Sequence, residues 1–176
     1  MRARSPCGST SVVAAPEAMG RGDQRIAQIT LDEHTVVRRN PDIEHERQVA
    51  IDDLLADNHF APISAIDGPF HLHLSVSENR LLLDIRDTKD QPLEQVVLPL
   101  LPFRKLVKDY FLICGSYYSA VREASPTKIE AIDMGRRALH NEGSKKLCER
   151  LADRVVVDEN TARRLFTLLC VLHIRG

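Results

Sequence analysis

The chain lacks a long apolar run. Its longest, Leu165 to Ile174, is interrupted by Thr167 and His173 and is about half the ~20 residues that a membrane-spanning helix needs. The N-terminus also lacks the continuous apolar core of a secretory signal peptide. We therefore expect no membrane insertion.

Neither sign of charge is in excess. The chain has 24 Lys and Arg against 25 Asp and Glu, for a formal net charge of -1. Proteins that bind nucleic acid by general electrostatic attraction are usually clearly basic. We predict no general nucleic-acid binding, while a local basic patch remains open.

Motifs of the common enzyme classes are missing as well. There is no GxSxG, no P-loop, no GxGxxG and no cysteine next to a histidine. His45-Glu46 resembles the start of a zinc-protease HExxH motif, but Val49 occupies the position of the second histidine. We interpret His45-Glu46 as part of a solvated helix face, predict no cofactor and favour a non-enzymatic protein.

The four cysteines form no CxxC pair, a spacing that would have indicated a zinc or redox site. Cys114, Cys148 and Cys170 lie in apolar helical segments, where a small apolar side chain packs well. We expect these three to be core residues rather than members of disulfides.

Composition divides the chain into a tail and one domain. Residues 1–22 are rich in Arg, Ser, Gly, Pro and Ala, which is typical of a disordered segment. We interpret them as an N-terminal tail, with Met19 as an alternative start, and residues 23–176 as a single domain.

Strand patterns dominate the first half of that domain. We predict strands at 25–31, 69–77, 80–87 and 93–98, with a helix capped by Asn40 and begun by Pro41 between the first two. Pairing Ser77 with Arg80 places six apolar residues on one face of a hairpin. They are Leu72, Leu74, Val76, Leu81, Leu83 and Ile85.

The second half is helical. A helix from Pro102 to about Glu123 precedes one that Gly143 ends, and Ser144 begins a short helix to Leu151. A short edge strand at 154–157 follows, and Asp158 caps a last helix that is apolar nearly all round. We predict an α+β fold with a small antiparallel sheet of three to four strands, packed against four or five helices. The apolar last helix is either central or at an interface, so a homodimer is possible.

The helix that starts at Ile129 carries a polar strip. At 100° per residue, Asp133, Arg136, Arg137 and His140 share one side. The other side is expected to be buried and comprises Ile129, Ala131, Ile132, Gly135, Ala138 and Leu139. Two arginines held by one aspartate can bind a carboxylate or phosphate.

A second arginine pair, Arg163 and Arg164, lies early in the last helix, where the helix dipole disfavours positive charge. This placement indicates an acidic partner, either within the fold or external. The structural alternative is that these arginines tie helices together through salt bridges, with His140 capping a helix end near Gly143.

The predicted hairpin also contains weak metal-ligand candidates. His71 and His73 point to the same face, and His73 faces Asp84, a possible third ligand. His71 faces Arg86, whose positive charge opposes a bound cation. We favour a His73–Asp84 pair on a partly exposed sheet over a metal site.

Four blocks of sequence resemble the alphaproteobacterial family UPF 0262: NPDIEHERQVAIDDLL, FRKLVKDYFLICGSYYSA, IEAIDMGRRALHNEGS and TARRLFTLLCVLHIRG. The resemblance covers the chain from about residue 25 to its end, so the first two dozen residues look like an addition. It implies a cytoplasmic bacterial protein and supplies no catalytic residue.

Three hypotheses for the function remain. We prefer a non-enzymatic interaction or regulatory protein that binds a larger acidic protein through the arginine-bearing helices. The first alternative is a small enzyme or binding domain for a phosphorylated or carboxylated metabolite at Arg136, Arg137 and His140. A closed pocket lined by these side chains would favour metabolite binding, whereas a flat exposed strip would favour binding of a protein. The second alternative is metal binding at His71 and His73.

Overall fold

The computed structural model describes residues 23–33 and 40–173. The proposed tail at 1–22 and Met19 lie outside this part. In order, the described elements are β1 (Ile26–Leu31), α1 (Pro41–Ala56), β2 (Phe60–Pro62), β3 (Phe70–Ser77), β4 (Arg80–Arg86), β5 (Pro92–Pro99), a 3-10 turn (Leu101–Phe103), α2 (Arg104–Glu123), α3 (Pro126–Leu151), β6 (Val155–Val157) and α4 (Glu159–Leu172). This confirms the α+β prediction.

The larger sheet has the order β1-β3-β4-β5. The β3–β4 hairpin has the predicted register, with Ser77 opposite Arg80 and Leu72 opposite Ile85. Glu78 and Asn79 both have positive φ, as a two-residue hairpin turn requires. β1 joins β3 in parallel, because α1 and β2 intervene and carry the chain back across the sheet.

One face of this sheet packs against the helices. Ten of the fourteen residues of α4 are buried, so α4 is the central helix of the described domain. Its apolar residues are covered by the chain itself, and the pattern that suggested a homodimer is accounted for within one copy. Among the described residues, no helix is both long and apolar enough to cross a membrane.

A second, two-stranded sheet joins β2 to β6 in antiparallel register. The strand at 154–157 was predicted, but β2 was not, because three residues carry too little periodicity to identify a strand. The side chain of Asp158 accepts from the backbone N of Thr161 at 2.8 Å and caps α4 as predicted.

The predicted helix end at Gly143 is wrong. α3 runs without a break to Leu151, and Gly143 is buried in its interior against the ring of Phe166 in α4. A Cβ atom at Gly143 would lie 2.4 to 2.6 Å from three ring carbons. Glycine is therefore needed for the close approach of two helices rather than for a turn.

The expected buried side of α3 is also partly wrong. Ile129, Ile132 and Leu139 are half-buried, whereas three small residues are exposed: Ala131, Gly135 and Ala138. The first half of α3 packs against α2 along the isoleucine side and turns its polar strip toward α1 and α4. Which side of α3 is buried therefore depends on where α2 packs, and an apolar side chain alone does not predict it.

The three helical cysteines are all buried. Cys114 and Cys170 are free, as expected. Cys148 also lies in the core, with 6 % exposure.

Candidate functional site

The polar strip of α3 lines a cleft bordered by all four described helices. The cavity has a volume of about 410 Å³. Five of its lining residues are predicted site residues: Arg136, Arg137, His140, Arg163 and Arg164. Thr167 of α4 also lines it. The others include His45, Glu46 and Asp53 from α1, and Tyr117, Tyr118 and Val121 from α2.

Glu46 is the carboxylate at the base of this cleft. Its side chain is only 12 % exposed and accepts from Arg136 Nη1 at 2.8 Å and from the Tyr118 hydroxyl at 2.7 Å. Burial, together with the hydrogen bond to Glu46, raises the pKa of Tyr118 above its ordinary value. These bonds join α1, α2 and α3 at one point, so the interpretation of Glu46 as solvated is wrong.

The Arg136 side chain is fixed by two carboxylates and one aromatic ring. Besides Glu46, it lies 3.4 Å from Asp133, and its guanidinium carbon is 4.3 Å from the centre of the Tyr117 ring. Burial lowers the pKa of Arg136, but Glu46 and Asp133 outweigh that effect and raise it. Arg136 is thus a fixed cation with a structural role, as the salt-bridge alternative predicts.

Arg137 differs from Arg136 in exposure. Asp133 pairs with Arg137 at 2.9 Å, which confirms that one aspartate holds both arginines. The Arg137 side chain is 71 % exposed and lies at the rim of the cleft. Because exposed ion pairs hold their partners weakly, Arg137 is free to contact a ligand or another protein.

The two arginines of α4 have different surroundings. Arg164 pairs with Asp53 of α1 at 3.3 Å, which is the internal acidic partner that its position in the helix indicates. Within the described part of the chain, Arg163 forms no ion pair. Four arginines therefore line the cleft. Three of them pair with Glu46, Asp133 or Asp53, and Arg163 is the one that no acid of the described residues matches.

His140 forms the wall of the cleft between α3 and α4. Its ring packs edge-on against Tyr110 and Phe166, with centroids 5.5 and 6.0 Å away. Burial, and then the positive charges of Arg136, Arg163 and Arg164, lower the pKa of His140 from 6.5 to about 4. The ring is neutral near pH 7. The expected capping role near Gly143 is wrong because α3 continues past it.

The lowered pKa of His140 predicts acid sensitivity. Between pH 6.5 and about 4, the unfolded chain binds a proton at this histidine and the folded chain does not. Stability therefore falls as the pH falls through this window, by about 2 kcal/mol after allowance for partial exposure of the ring. Urea unfolding across this range should show the loss in wild type and not in His140→Gln.

The matched control for this prediction is His71→Gln, which removes a histidine from the sheet face instead. It should keep the wild-type dependence of stability on pH. An unchanged slope in His140→Gln would contradict the assignment of the acid sensitivity to His140.

Sequence reasoning found the arginines and His140 but missed the α1 side of the cleft. Glu46 and Asp53 were missed because their partners, Arg136 of α3 and Arg164 of α4, are distant in sequence. Arg136 and Glu46 are 90 residues apart. The one available signal in the sequence was Glu46, a charged residue near the apolar stripe of α1. Tyr117 and Tyr118 have core-like spacing on α2, and only packing shows that they border a cavity.

The sheet candidates do not form a comparable site. His73 lies opposite Asp84 in the ladder, but its side chain bonds Asp90 at 3.0 Å, while Asp84 pairs with Arg86 at 2.7 Å. The favoured His73–Asp84 cross-strand pair is confirmed in the register. The two side chains do not bond each other, because Arg86 pairs with Asp84. No group of three or more His, Cys, Asp or Glu in the described ranges is arranged to hold a metal ion.

Comparison with known proteins agrees with the resemblance in the sequence. The family model described as "Uncharacterised protein family (UPF0262)" matches residues 23–175. A UPF0262 protein of Rhodospirillum rubrum is 65% identical over 151 residues, which are 86% of this chain and 93% of that protein.

Two further relatives extend the match. A UPF0262 protein of Azorhizobium caulinodans is 58% identical over 154 residues, covering 86% of this chain and 95% of the relative. One from Rhodopseudomonas palustris is 56% identical over 154 residues, covering 88% and 94%. No solved structure matches the chain. The chain belongs to the UPF0262 family of alphaproteobacterial proteins.

Proposed function

We propose that the cleft binds a small cytoplasmic metabolite that carries a phosphate or carboxylate group. The observation that carries this proposal is the convergence of Arg136, Arg137, Arg163 and Arg164 on one cavity, with Arg163 unmatched by an acid in the described part of the chain. The strip lines a concave cleft and is not flat, which favours a ligand site over a docking face.

The size and lining of the cleft support a small ligand. Its volume of about 410 Å³ falls within the roughly 300–1,000 Å³ of typical ligand pockets. Guanidinium groups bind phosphate and carboxylate through paired N–H donors. Tyr117 and Val121 add apolar surface against which the uncharged part of a ligand can pack.

This proposal predicts a loss of ligand binding in Arg163→Ala. Removing one charge-assisted contact costs about 1.4 kcal/mol, or about tenfold in affinity. A thermal-shift screen of phosphorylated and carboxylated metabolites identifies ligands of the wild type, and calorimetry then compares the two proteins.

Arg150→Ala is the matched control, because Arg150 is an exposed arginine in the last turn of α3, outside the cleft lining. It should retain wild-type affinity. Ligands that bind both variants equally would contradict a site at Arg163, and a screen without any anionic ligand would overturn the proposal.

A second candidate function is docking of a larger acidic protein. The observation that favours it is the rim, where Arg137 is 71 % exposed and Val49 and Val121 are exposed at 40% and 51%. An exposed cation beside apolar side chains is a common composition of protein contact surfaces. In this case the protein regulates its partner and catalyses no reaction.

Crosslinking in a lysate of an alphaproteobacterium that carries a family member tests the docking candidate. Charge reversal in Arg137→Glu should abolish capture of an acidic partner, whereas Arg150→Glu should retain it. Crosslinks must also map to the rim residues of the cleft. A partner captured equally by both variants would contradict docking at this rim.

A further inference from the structure

Three arginines line the same cleft as His140. Arg136 lies one turn earlier on α3, and Arg163 and Arg164 approach from α4. All three act on the histidine strongly enough to lower its pKa together with burial. The positive charges of the cleft therefore act on this ring.

The two carboxylates that line the cleft are already paired with other side chains. Glu46 is engaged by Arg136 and Tyr118, and Asp53 by Arg164. Behind the imidazole are the rings of Tyr110 and Phe166, with the Tyr110 phenol held protonated because burial raises its pKa. The ring thus packs against two aromatic rings and lines a cleft that also contains three arginines.

Building on the proposed function, we propose that this point is a subsite for a dianionic phosphate monoester, and that His140 takes up one proton from solvent when the phosphate binds. Arg163, Arg164 and the imidazole approach from two helices. A phosphate offers three terminal oxygens to such a divergent set of donors, whereas a carboxylate is satisfied by one guanidinium fork.

Proton uptake follows from the charges around the ring. In the empty cleft, Arg136, Arg163 and Arg164 disfavour a fourth positive charge on His140. A bound dianion offsets two of these charges and accepts a hydrogen bond from the imidazole, which favours the protonated ring. The two carboxylates that α1 contributes, Glu46 and Asp53, keep their own ion pairs.

Sulfate is the probe that isolates this coupling, because it is a tetrahedral dianion that does not itself titrate near neutral pH. We expect calorimetry to show at least threefold tighter sulfate binding at about pH 6 than at about pH 8. Arg163→Ala should weaken binding about tenfold, and Arg150→Ala, an exposed arginine outside the cleft lining, should leave it within about twofold. His140→Gln should remove the pH dependence.

A direct readout comes from the nitrogen chemical shifts of the His140 ring in the wild type, which need no variant to fold. Sulfate should move them from neutral toward protonated values.

Sulfate binding that depends on Arg137 instead of Arg163, or a His140 ring that stays neutral, would overturn the inference and leave the proposed function standing. Binding of carboxylates such as citrate without sulfate or phosphate would do the same. Failure of all these anions to bind would overturn both.

Discussion

Gly143→Ala should destabilise the protein by about 3 kcal/mol, the upper part of the range for overpacked cores. The added Cβ would lie 2.4 to 2.6 Å from three carbons of the Phe166 ring. That ring is fully buried in the central helix, so relief requires a shift of α3 against α4. Urea denaturation should show a lower midpoint with an unchanged slope.

Gly135→Ala is the matched control on the same helix. A Cβ at Gly135 would meet only Ile113 Cδ1, at 3.4 Å, and Gly135 is exposed. Because alanine restricts the unfolded chain and favours a helix, this variant should be as stable as the wild type or more stable by up to about 1 kcal/mol. Equal effects at the two glycines would contradict the close packing of α3 on α4.

Glu46→Ala should destabilise the protein by about 2–3 kcal/mol. The substitution leaves the half-buried Arg136 with only Asp133, at 3.4 Å, and removes the acceptor of the Tyr118 hydroxyl. Loss of one partner from a buried ion pair is costly because the remaining charge stays desolvated. Thermal and urea unfolding measure the loss.

Glu46→Gln separates the stability of the site from its function. The amide oxygen can still accept from Tyr118 or Arg136, so about half of the stability loss should be recovered. Its missing charge leaves the cleft one unit more positive, and phosphate should bind several-fold more tightly than to wild type. Weaker phosphate binding in Glu46→Gln would show that the Glu46–Arg136 ion pair is needed to position the arginine, contrary to a purely electrostatic effect.

Local patterns predicted much of the fold. The β3–β4 register followed from apolar alternation, and the caps at Asn40 and Asp158 followed from side chains that accept backbone N–H bonds. Gly143 shows where such patterns fail. A glycine inside a polar helical stretch has the same sequence signature whether it ends a helix or admits a neighbouring ring, and only the position of Phe166 decides between them.

Of the candidate site, the sequence predicts the arginine-bearing helices but not the carboxylates of α1. Helical periodicity brings Asp133, Arg136, Arg137 and His140 together because their separation in sequence is one or two turns. The depth of the cleft depends on Glu46 and Asp53, which reach it through packing of α1 against α4. The distinction between the paired Arg164 and the unmatched Arg163 also depends on that packing, and no local pattern contains it.

A phosphate titration followed through the arginine side-chain Nε–H resonances of ¹⁵N-labelled protein tests the anion site directly. We expect saturable shifts at Arg163 and Arg164, smaller shifts at Arg136, and none at the exposed Arg150. Shifts that are spread over the exposed arginines and do not saturate would mean that phosphate is attracted only to surface charge. That result would contradict an anion site in the cleft.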